Sequence, residues 1–187
     1  SQYKPAYLEG QMPTPYYDAN DGEPAFLLVN NGQCQFEDQT AAAGFKSKRN
    51  RRTYSSSFFD YDGDRDLDLV VVSDYAGVDL YENRGDGKFR DVTDSRLSDN
   101  RHLFGMSHTF SDYDGNGELD IYAIGMSSTT ARRLDSLKLQ RSRNDKIAKM
   151  RAAMGFGNRV FSWQSSKFAT PTFFRDLART GWSWGVT

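Results

Sequence analysis

The sequence predicts an all-β fold, a fragment of a β-propeller with about three four-stranded blades and a short helical insertion. One observation is an acidic nine-residue segment that occurs twice, at residues 60–68 and 112–120. Another is that the sequence around these segments repeats after 52 or 53 residues. The residues related by the longer spacing are Gly32 and Gly85, Phe36 and Phe89, and Thr40 and Thr93. Four short strands in a period of about fifty residues are typical of a propeller blade.

The complete repeat, residues 55–107, shows this pattern most clearly. Its strands are predicted from short runs of β-branched and aromatic residues, and its turns from clusters of Gly, Asn and Asp. The predicted strands are 55–59, 67–73, 78–82 and 88–93, with turns at 75–77 and 83–87. Because one blade cannot bury both of its faces, we expect neighbouring blades to stack around a common axis.

Residues 1–54 are predicted to contain the end of an earlier blade and a connection. The strands 25–29 and 35–38 flank a turn at residues 30–32. The segment Asp18–Gly22 is also acidic, but its acids lack the spacing of the other two segments. Since Asn-Asp and Asp-Gly steps favour tight turns, we predict a hairpin turn there and no third metal site.

Residues 108–187 are predicted to form a second blade with an insertion, followed by the start of a further blade. The insertion, residues 127–155, has a helical pattern with a predicted break near residues 142–144. Residues 128–159 hold nine Lys or Arg and two Asp, whereas the whole chain has a net charge of −1. No base-reading motif accompanies this basic segment. We therefore expect a solvated helical face or an acidic partner, and no nucleic acid.

The two acidic segments are predicted to be calcium loops. Oxygen donors at the first, third, fifth and ninth positions, with the backbone carbonyl of the seventh, can surround Ca²⁺, which takes about six to eight oxygen ligands. The predicted ligands of the first loop are the side chains of Asp60, Asp62, Asp64 and Asp68 and the carbonyl of Asp66. Those of the second are the side chains of Asp112, Asp114, Asn116 and Asp120 and the carbonyl of Glu118.

Two other interpretations of these segments are weaker. An EF-hand requires a Glu at position twelve between two helices, but that position holds Val71 in one segment and Ala123 in the other, and the flanks are strand-like. A plain turn rich in Asp and Asn needs no ion. Its clustered carboxylates would repel one another without a cation, so the sequence favours metal binding.

Composition bounds the location of the chain. Cys34 is the single cysteine, so an internal disulfide is impossible, and neither a leader peptide nor a membrane span is predicted. Because low-affinity calcium sites fill mainly outside the cytosol, we expect an extracellular, cell-surface or periplasmic location. Three blades cannot close a ring, so we expect a fragment of a larger protein.

The sequence does not predict an enzyme. Residues 181–185 match the letters of the GxSxG hydrolase motif, but that motif needs an Asp and a His later in the chain, and both His102 and His108 precede it. We expect Ser183 not to be catalytic and His108 to be a hydrogen-bonded structural residue. The clustered acids are all assigned to metal loops, which leaves no carboxylate pair for glycoside hydrolysis.

These motifs resemble the calcium-loop propellers known as FG-GAP or VCBS repeat proteins. Among them they resemble the bacterial relatives of cartilage acidic protein, which often carry an ASPIC/UnbV segment. The similar stretches are 59–70, 80–93, 110–122, 157–159 and 180–185. The resemblance implies a secreted or surface-exposed propeller of about seven blades with Ca²⁺ in its loops, and a role in adhesion or in recognition of a protein or glycan ligand.

Two positions depart from the family pattern. Arg65 replaces the glycine often found at the sixth loop position, and Asn116 replaces an aspartate in the second loop. Because fewer carboxylates weaken calcium binding, we expect loop 60–68 to bind more tightly than loop 112–120.

The expected function is that of a calcium-binding extracellular propeller that acts as a binding or adhesion module. The alternative is a scaffold or accessory propeller of a secreted polysaccharide-degrading enzyme.

Overall fold

The computed structural model describes residues 17–97, 101–137, 145–180 and 183–186. Most of these residues belong to short strands and the turns between them. The strands are β1 (Leu28–Asn30), β2 (Phe36–Asp38), β3 (Arg52–Phe59), β4 (Asp68–Asp74), β5 (Gly77–Asn83), β6 (Phe89–Asp91), β7 (Gly105–Ser111), β8 (Asp120–Gly125), β9 (Arg159–Gln164) and β10 (Lys167–Ala169). The helices are α1 (Thr93–Arg96), α2 (Thr129–Ser136), α3 (Asp145–Met154) and α4 (Phe174–Leu177).

The strands form two four-stranded antiparallel sheets and one two-stranded sheet. Consecutive strands pair from β3 to β6 and again from β7 to β10, while β1 pairs with β2. Each four-stranded sheet has a register shift near the start of its first strand, at residues 53–55 in one and 105–107 in the other. Two successive four-stranded meanders of this kind are propeller blades. The predicted all-β propeller-fragment fold is therefore confirmed.

The core lies between the two four-stranded sheets. The second strand of each sheet, β4 or β8, is apolar in its middle and almost entirely buried, as expected for a strand that is covered on both faces. Phe59 of the first sheet stacks on Phe110 of the second, with ring centroids 4.2 Å apart. Val70 and Leu80 are fully buried in the same cluster. Each blade therefore buries a face of its neighbour.

In each blade, one glycine allows the chain segment that follows the blade to pack against the start of the third strand of that blade. Gly77 has a φ of 107°, and a Cβ atom there would overlap the carbonyl oxygen of Arg101. Gly157 has a φ of 120°, and a Cβ atom there would overlap the carbonyl oxygen of Ala178. Only glycine combines this backbone conformation with so close an approach. The two contacts are equivalent and fix the same junction in both blades.

The 53-residue repeat also appears in side-chain hydrogen bonds. The amide and hydroxyl of Thr93 donate to Asp91 at 3.1 and 2.6 Å, and the hydroxyl accepts the amide of Leu80 at 3.1 Å. The equivalent bonds in the two-stranded sheet join Thr40 to Asp38 and to Leu27. The strands β1 and β2 thus correspond to β5 and β6, the outer half of a blade.

Several strand boundaries differ from the prediction. The strand β3 begins at Arg52, before the predicted start at residue 55. The strand predicted at 25–29 spans Leu28–Asn30. The strand predicted at 88–93 spans only Phe89–Asp91, because Thr93 begins α1 and its side chain bonds to β5.

The prediction of a hairpin turn at Asp18–Gly22 was wrong. No strand follows this segment before Leu28. Instead, Asp18 pairs with Arg51 at 2.9 Å and Asp21 pairs with Arg52 at 2.6 Å. The amide of Gly22 donates to the backbone carbonyl of Asn50, which lies beside these arginines. These acids form ion pairs because the basic residues around the start of β3 pack against them. Such a contact between distant segments cannot be predicted from the residue types of a turn.

The predicted helical insertion contains α2 and α3. Its predicted break, near residues 142–144, lies outside the described residues. Three of its basic residues, Arg133, Lys146 and Lys149, are exposed. Within the described ranges, the helices are too short or too polar for any of them to cross a membrane.

Candidate metal centres

The two acidic loops join the first and second strands of the two blades. Residues 60–67 connect β3 to β4, and residues 112–119 connect β7 to β8. Asp62 of the first loop and Asp114 of the second line the same surface groove. The stacking of the blades therefore brings the two loops side by side.

The first aspartate of each loop organises the turn. In the first loop, the carboxylate of Asp60 accepts hydrogen bonds from the amides at positions four and six, at 2.8 and 3.0 Å. In the second loop, Asp112 accepts the equivalent bonds at 2.7 and 2.9 Å. Asn and Asp side chains stabilise turns in this way, and here both loops use the same atoms. The two loops share one conformation.

Positions four and six have a left-handed backbone in both loops. The φ angles are 78° at Gly63, 75° at Arg65, 75° at Gly115 and 88° at Gly117. Arg65 is the one non-glycine residue of the four, and a side chain in this region costs conformational energy. Arg65, which occupies a position where similar repeats often have glycine, is thus a site of backbone strain.

The ninth aspartate of each loop is a fully buried acceptor. Asp68 accepts the amide at loop position two at 3.4 Å and the amide of Asn83 at 2.8 Å. Asp120 accepts the amide at position two of its loop at 2.9 Å and the amide of Trp163 at 3.0 Å. Asn83 and Trp163 lie at corresponding ends of β5 and β9, so each ninth aspartate fastens its loop to the third strand of the same blade.

Burial and charge crowding raise the pKa values of two acids in the first loop, Asp62 and Asp68. Burial raises the pKa of Asp68 to about 7, and the carboxylates of Asp62 and Asp64 act in the same direction. Burial also raises the pKa of Asp62, with Asp64 and Glu82 contributing. Negative charge is therefore concentrated in this loop, and a bound cation would compensate for it.

Each loop brings three carboxylates together. One oxygen from each residue of the set Asp60, Asp62 and Asp68 lies within 4.8 Å of the others, and the same holds for Asp112, Asp114 and Asp120. These donors are all oxygen atoms, which suit a hard divalent cation. Six of the predicted site residues are thus placed so that each cluster can hold a metal ion.

The predicted fifth-position ligands have a second role. Asp64 accepts the amide of Asp66 at 2.8 Å, and Asn116 accepts the amide of Glu118 at 2.8 Å. Asn116 also donates from its amide group to the carbonyl of Trp163 at 3.2 Å. A side-chain oxygen retains a second lone pair in such a bond. Coordination by Asp64 and Asn116, and by the carbonyls of Asp66 and Glu118, stays a prediction.

Sequence reasoning missed the contacts that the third strand makes with the loops. Ser162 on β9 donates its hydroxyl to Asp114 at 2.5 Å. The corresponding residue of β5 is Glu82, which instead accepts hydrogen bonds from Tyr61 and Arg96, both at 3.2 Å. The sequence contains a signal for these positions, because Gly77 and Gly157 are 80 residues apart and so are Glu82 and Ser162.

The groove between the two loops is polar. Asp62 and Arg96 come from the first repeat, and Asp114, Asn116 and Glu118 come from the second. Arg96 crosses between the repeats, because it bonds to Glu82 at 3.2 Å and to the carbonyl of Ser166 at 2.8 Å. Arg96 therefore links the two blades at this groove.

The expectation of a hydrogen-bonded His108 was wrong. His108 is buried on β7, and neither ring nitrogen has a hydrogen-bond partner among the described residues. Burial lowers the pKa of this imidazole. The ring of His102 contacts the carbonyl oxygen of Ala76 at 3.1 Å. The hydroxyl of Ser183 lies 2.7 Å from the hydroxyl of Thr180.

Comparison with known sequences supports the repeat seen in the structure. Residues 60–123 match the family of FG-GAP-like repeats. This stretch begins at the first predicted ligand of one acidic loop and ends within the strand that follows the other. No curated protein sequence matches the chain. This stretch is thus similar to FG-GAP-like repeats, and it includes both candidate metal centres and the strands β4 to β7.

Proposed function

We propose that the chain is a calcium-binding β-propeller module and that its calcium ions are structural. The observation that carries this proposal is the pair of three-carboxylate clusters, which occur in two loops of the same conformation. FG-GAP-like repeats often hold calcium in such loops. A single acidic turn would be weak support, but the repetition of one donor arrangement in consecutive blades is not expected from chance surface charge.

The donor set favours Ca²⁺ over other cations. The clustered ligands are carboxylates, with a side-chain amide and backbone carbonyls as further oxygen donors, whereas zinc and copper sites generally use His or Cys. Ca²⁺ accepts six to eight oxygen ligands at variable angles, which suits a short flexible turn. A bound ion would neutralise the crowded carboxylates and hold each loop between its two strands.

Thermal unfolding tests the proposal. We expect the chain to unfold at a higher temperature in millimolar Ca²⁺ than in EDTA, because a ligand that binds only the folded state stabilises it. The shift should become smaller in Asp60→Asn and Asp112→Asn, which each remove one ligand charge. Asp86→Asn is a matched control, since Asp86 is an exposed aspartate in a turn outside both loops. Equal shifts in all four proteins, or no shift in any, would refute the proposal.

We also propose that the module recognises a protein or glycan partner outside the cytoplasm, in an extracellular, cell-surface or periplasmic setting. The FG-GAP-like match supports a binding module, and calcium sites of modest affinity would fill where calcium is abundant. Nucleic acid is not the proposed partner. A closer relationship to the ASPIC/UnbV-containing proteins belongs to this proposal as well.

A binding assay distinguishes this function from that of an enzyme accessory domain. The purified chain would be applied to protein and glycan arrays in Ca²⁺ and again in EDTA. Calcium-dependent capture of one ligand class supports a recognition module. Capture only of the polysaccharide substrate of a linked catalytic domain would support the enzyme accessory domain instead.

A further inference from the structure

Trp163 on β9 holds the second acidic loop through its backbone. Its amide donates to a carboxylate oxygen of Asp120 at 3.0 Å, and its carbonyl accepts the side-chain amide of Asn116 at 3.2 Å. Both partners are predicted ligands of the second metal centre. The position of Trp163 is therefore tied to the position of two ligands in that loop.

The ring of Trp163 contacts the first loop. It packs edge-on against Tyr61, with ring centroids 4.8 Å apart, and Phe168 lies against both rings at 4.9 and 5.6 Å. Tyr61 is almost fully buried and lies between two ligands of the first centre, Asp60 and Asp62. Its side chain thus projects from one metal loop into the adjacent blade.

From this arrangement we infer that the two loops bind calcium with positive coupling and that Trp163 is the positioning residue that links them. The inference deepens the proposed function and rests on it. The backbone of Trp163 bonds to two predicted ligands of the second centre, and its ring contacts Tyr61, which lies between two predicted ligands of the first. The conformation of each loop therefore restricts the conformation of the other.

The sign of the coupling follows from ordering. When the first loop is fixed around an ion, Tyr61 is fixed as well, and the Trp163 ring and backbone lose freedom before the second ion binds. A second ligand that binds to an already ordered site pays less conformational entropy and binds more tightly. Repulsion between the two ions opposes this effect, but salt screens charges over about 8 Å at physiological ionic strength, whereas the ring contact is not screened.

The second loop provides a matched control for the contact between Tyr61 and Trp163. Tyr113 occupies the same loop position as Tyr61, yet its ring packs on Tyr122 of its own blade, with centroids 6.0 Å apart. If the coupling passes through Tyr61 and Trp163, replacement of Tyr113 should leave it in place. If any disturbance at loop position two alters the coupling, the two tyrosines should behave alike.

Calorimetric titration with Ca²⁺ alone measures the coupling. The affinity of each loop is determined in isolation in Asp112→Asn and Asp60→Asn, and compared with the stepwise constants of the wild-type chain. We expect the second ion to bind the wild type about fivefold or more tightly than it binds the isolated loop. Linkage requires the same factor in both directions.

Variants of the ring contact test the role of Trp163. Tyr61→Leu should reduce the factor to about one, while Tyr61→Phe and Tyr113→Leu should retain it, since the first keeps the ring and the second leaves the contact intact. Tryptophan fluorescence gives a readout that does not need Tyr61 to be replaced. Filling of the first loop in Asp112→Asn should change the emission, and Trp163→Phe in that background should remove the change.

The outcomes separate the two proposals. Two independent sites in the wild type, or an unchanged factor in Tyr61→Leu, would overturn the coupling and leave the calcium sites standing. A wild-type chain that binds no calcium would overturn both. An emission change that persists without Trp163 would show that another tryptophan reports the event and would contradict the assigned role.

Discussion

Asp79 on β5 is a buried carboxylate at the junction of three segments. Its oxygens lie 2.9 Å from Lys48 Nζ, 3.1 Å from Arg51 Nε and 3.6 Å from Arg101 Nη1, and its side chain is 1% exposed. Lys48 and Arg51 precede the first blade, and Arg101 leads into the second. One side chain therefore ties both connections to the complete blade, and we expect Asp79→Asn to destabilise the chain strongly.

The size of the effect follows from the cations that would lose their partner. Removal of one member of a buried ion pair typically costs about 3–5 kcal/mol, because the remaining charge stays desolvated. All three cations retain other acids, since Arg51 lies 2.9 Å from Asp18, Lys48 lies 2.8 Å from Asp91 and Arg101 lies 3.4 Å from Asp94. We therefore expect a loss near the lower limit, about 3 kcal/mol of the free energy of unfolding.

Urea unfolding at fixed calcium concentration, followed by circular dichroism, measures this loss as a lower midpoint with an unchanged slope. Asp94→Asn is the control, because Asp94 lies 3.4 Å from the same Arg101 but its side chain is 89% exposed. An exposed pair contributes at most about 1 kcal/mol. If Asp79→Asn costs less than about 1 kcal/mol, or no more than the control, the assignment of Asp79 as a buried charge junction is incorrect.

Three further predictions concern pH and calcium. Burial raises the pKa of Asp74 to about 6, so its contribution to stability is complete below the unfolded pKa of about 4 and is lost as the pH rises through 6. Asp74→Asn should therefore raise the unfolding free energy by up to about 2–3 kcal/mol at pH 8 and leave it unchanged at pH 3, and equal effects at both pH values would contradict this. His108→Phe should raise the thermal midpoint at pH 8, because it removes two buried nitrogens that have no hydrogen-bond partner among the residues that the structure describes. The midpoint should rise further at pH 5, because the lowered pKa of His108 makes protonation of the folded chain costly there. A smaller gain at pH 5 would argue against burial of a neutral imidazole. In calorimetric titrations, Asp112→Asn, which keeps the four-carboxylate loop, should bind Ca²⁺ more tightly than Asp60→Asn, and the reverse order would show that charge count does not set the ranking.

The sequence by itself determined the repeat, the strand-rich fold and the two acidic loops. These features are local, because the spacing of ligands within nine residues and the glycines that permit the turn lie in one short segment. The prediction that Asp60, Asp62 and Asp68 converge needed only the geometry of a tight loop between two strands, and the structure places them together. The same holds for Asp112, Asp114 and Asp120.

Only the tertiary structure decided which distant residues complete these elements. The amide of Trp163 reaches Asp120 from 43 residues away, and Arg51 reaches Asp79 across 28 residues. Such contacts depend on how blades stack and on how long connections return to them, and residue type alone does not encode this. For that reason the acids near Asp18 form ion pairs with arginines and no hairpin turn, and His108 is buried with no hydrogen-bond partner in the described part of the chain. Short-range chemistry fixed the loops, whereas the packing of one blade on the next fixed the surroundings that connect them.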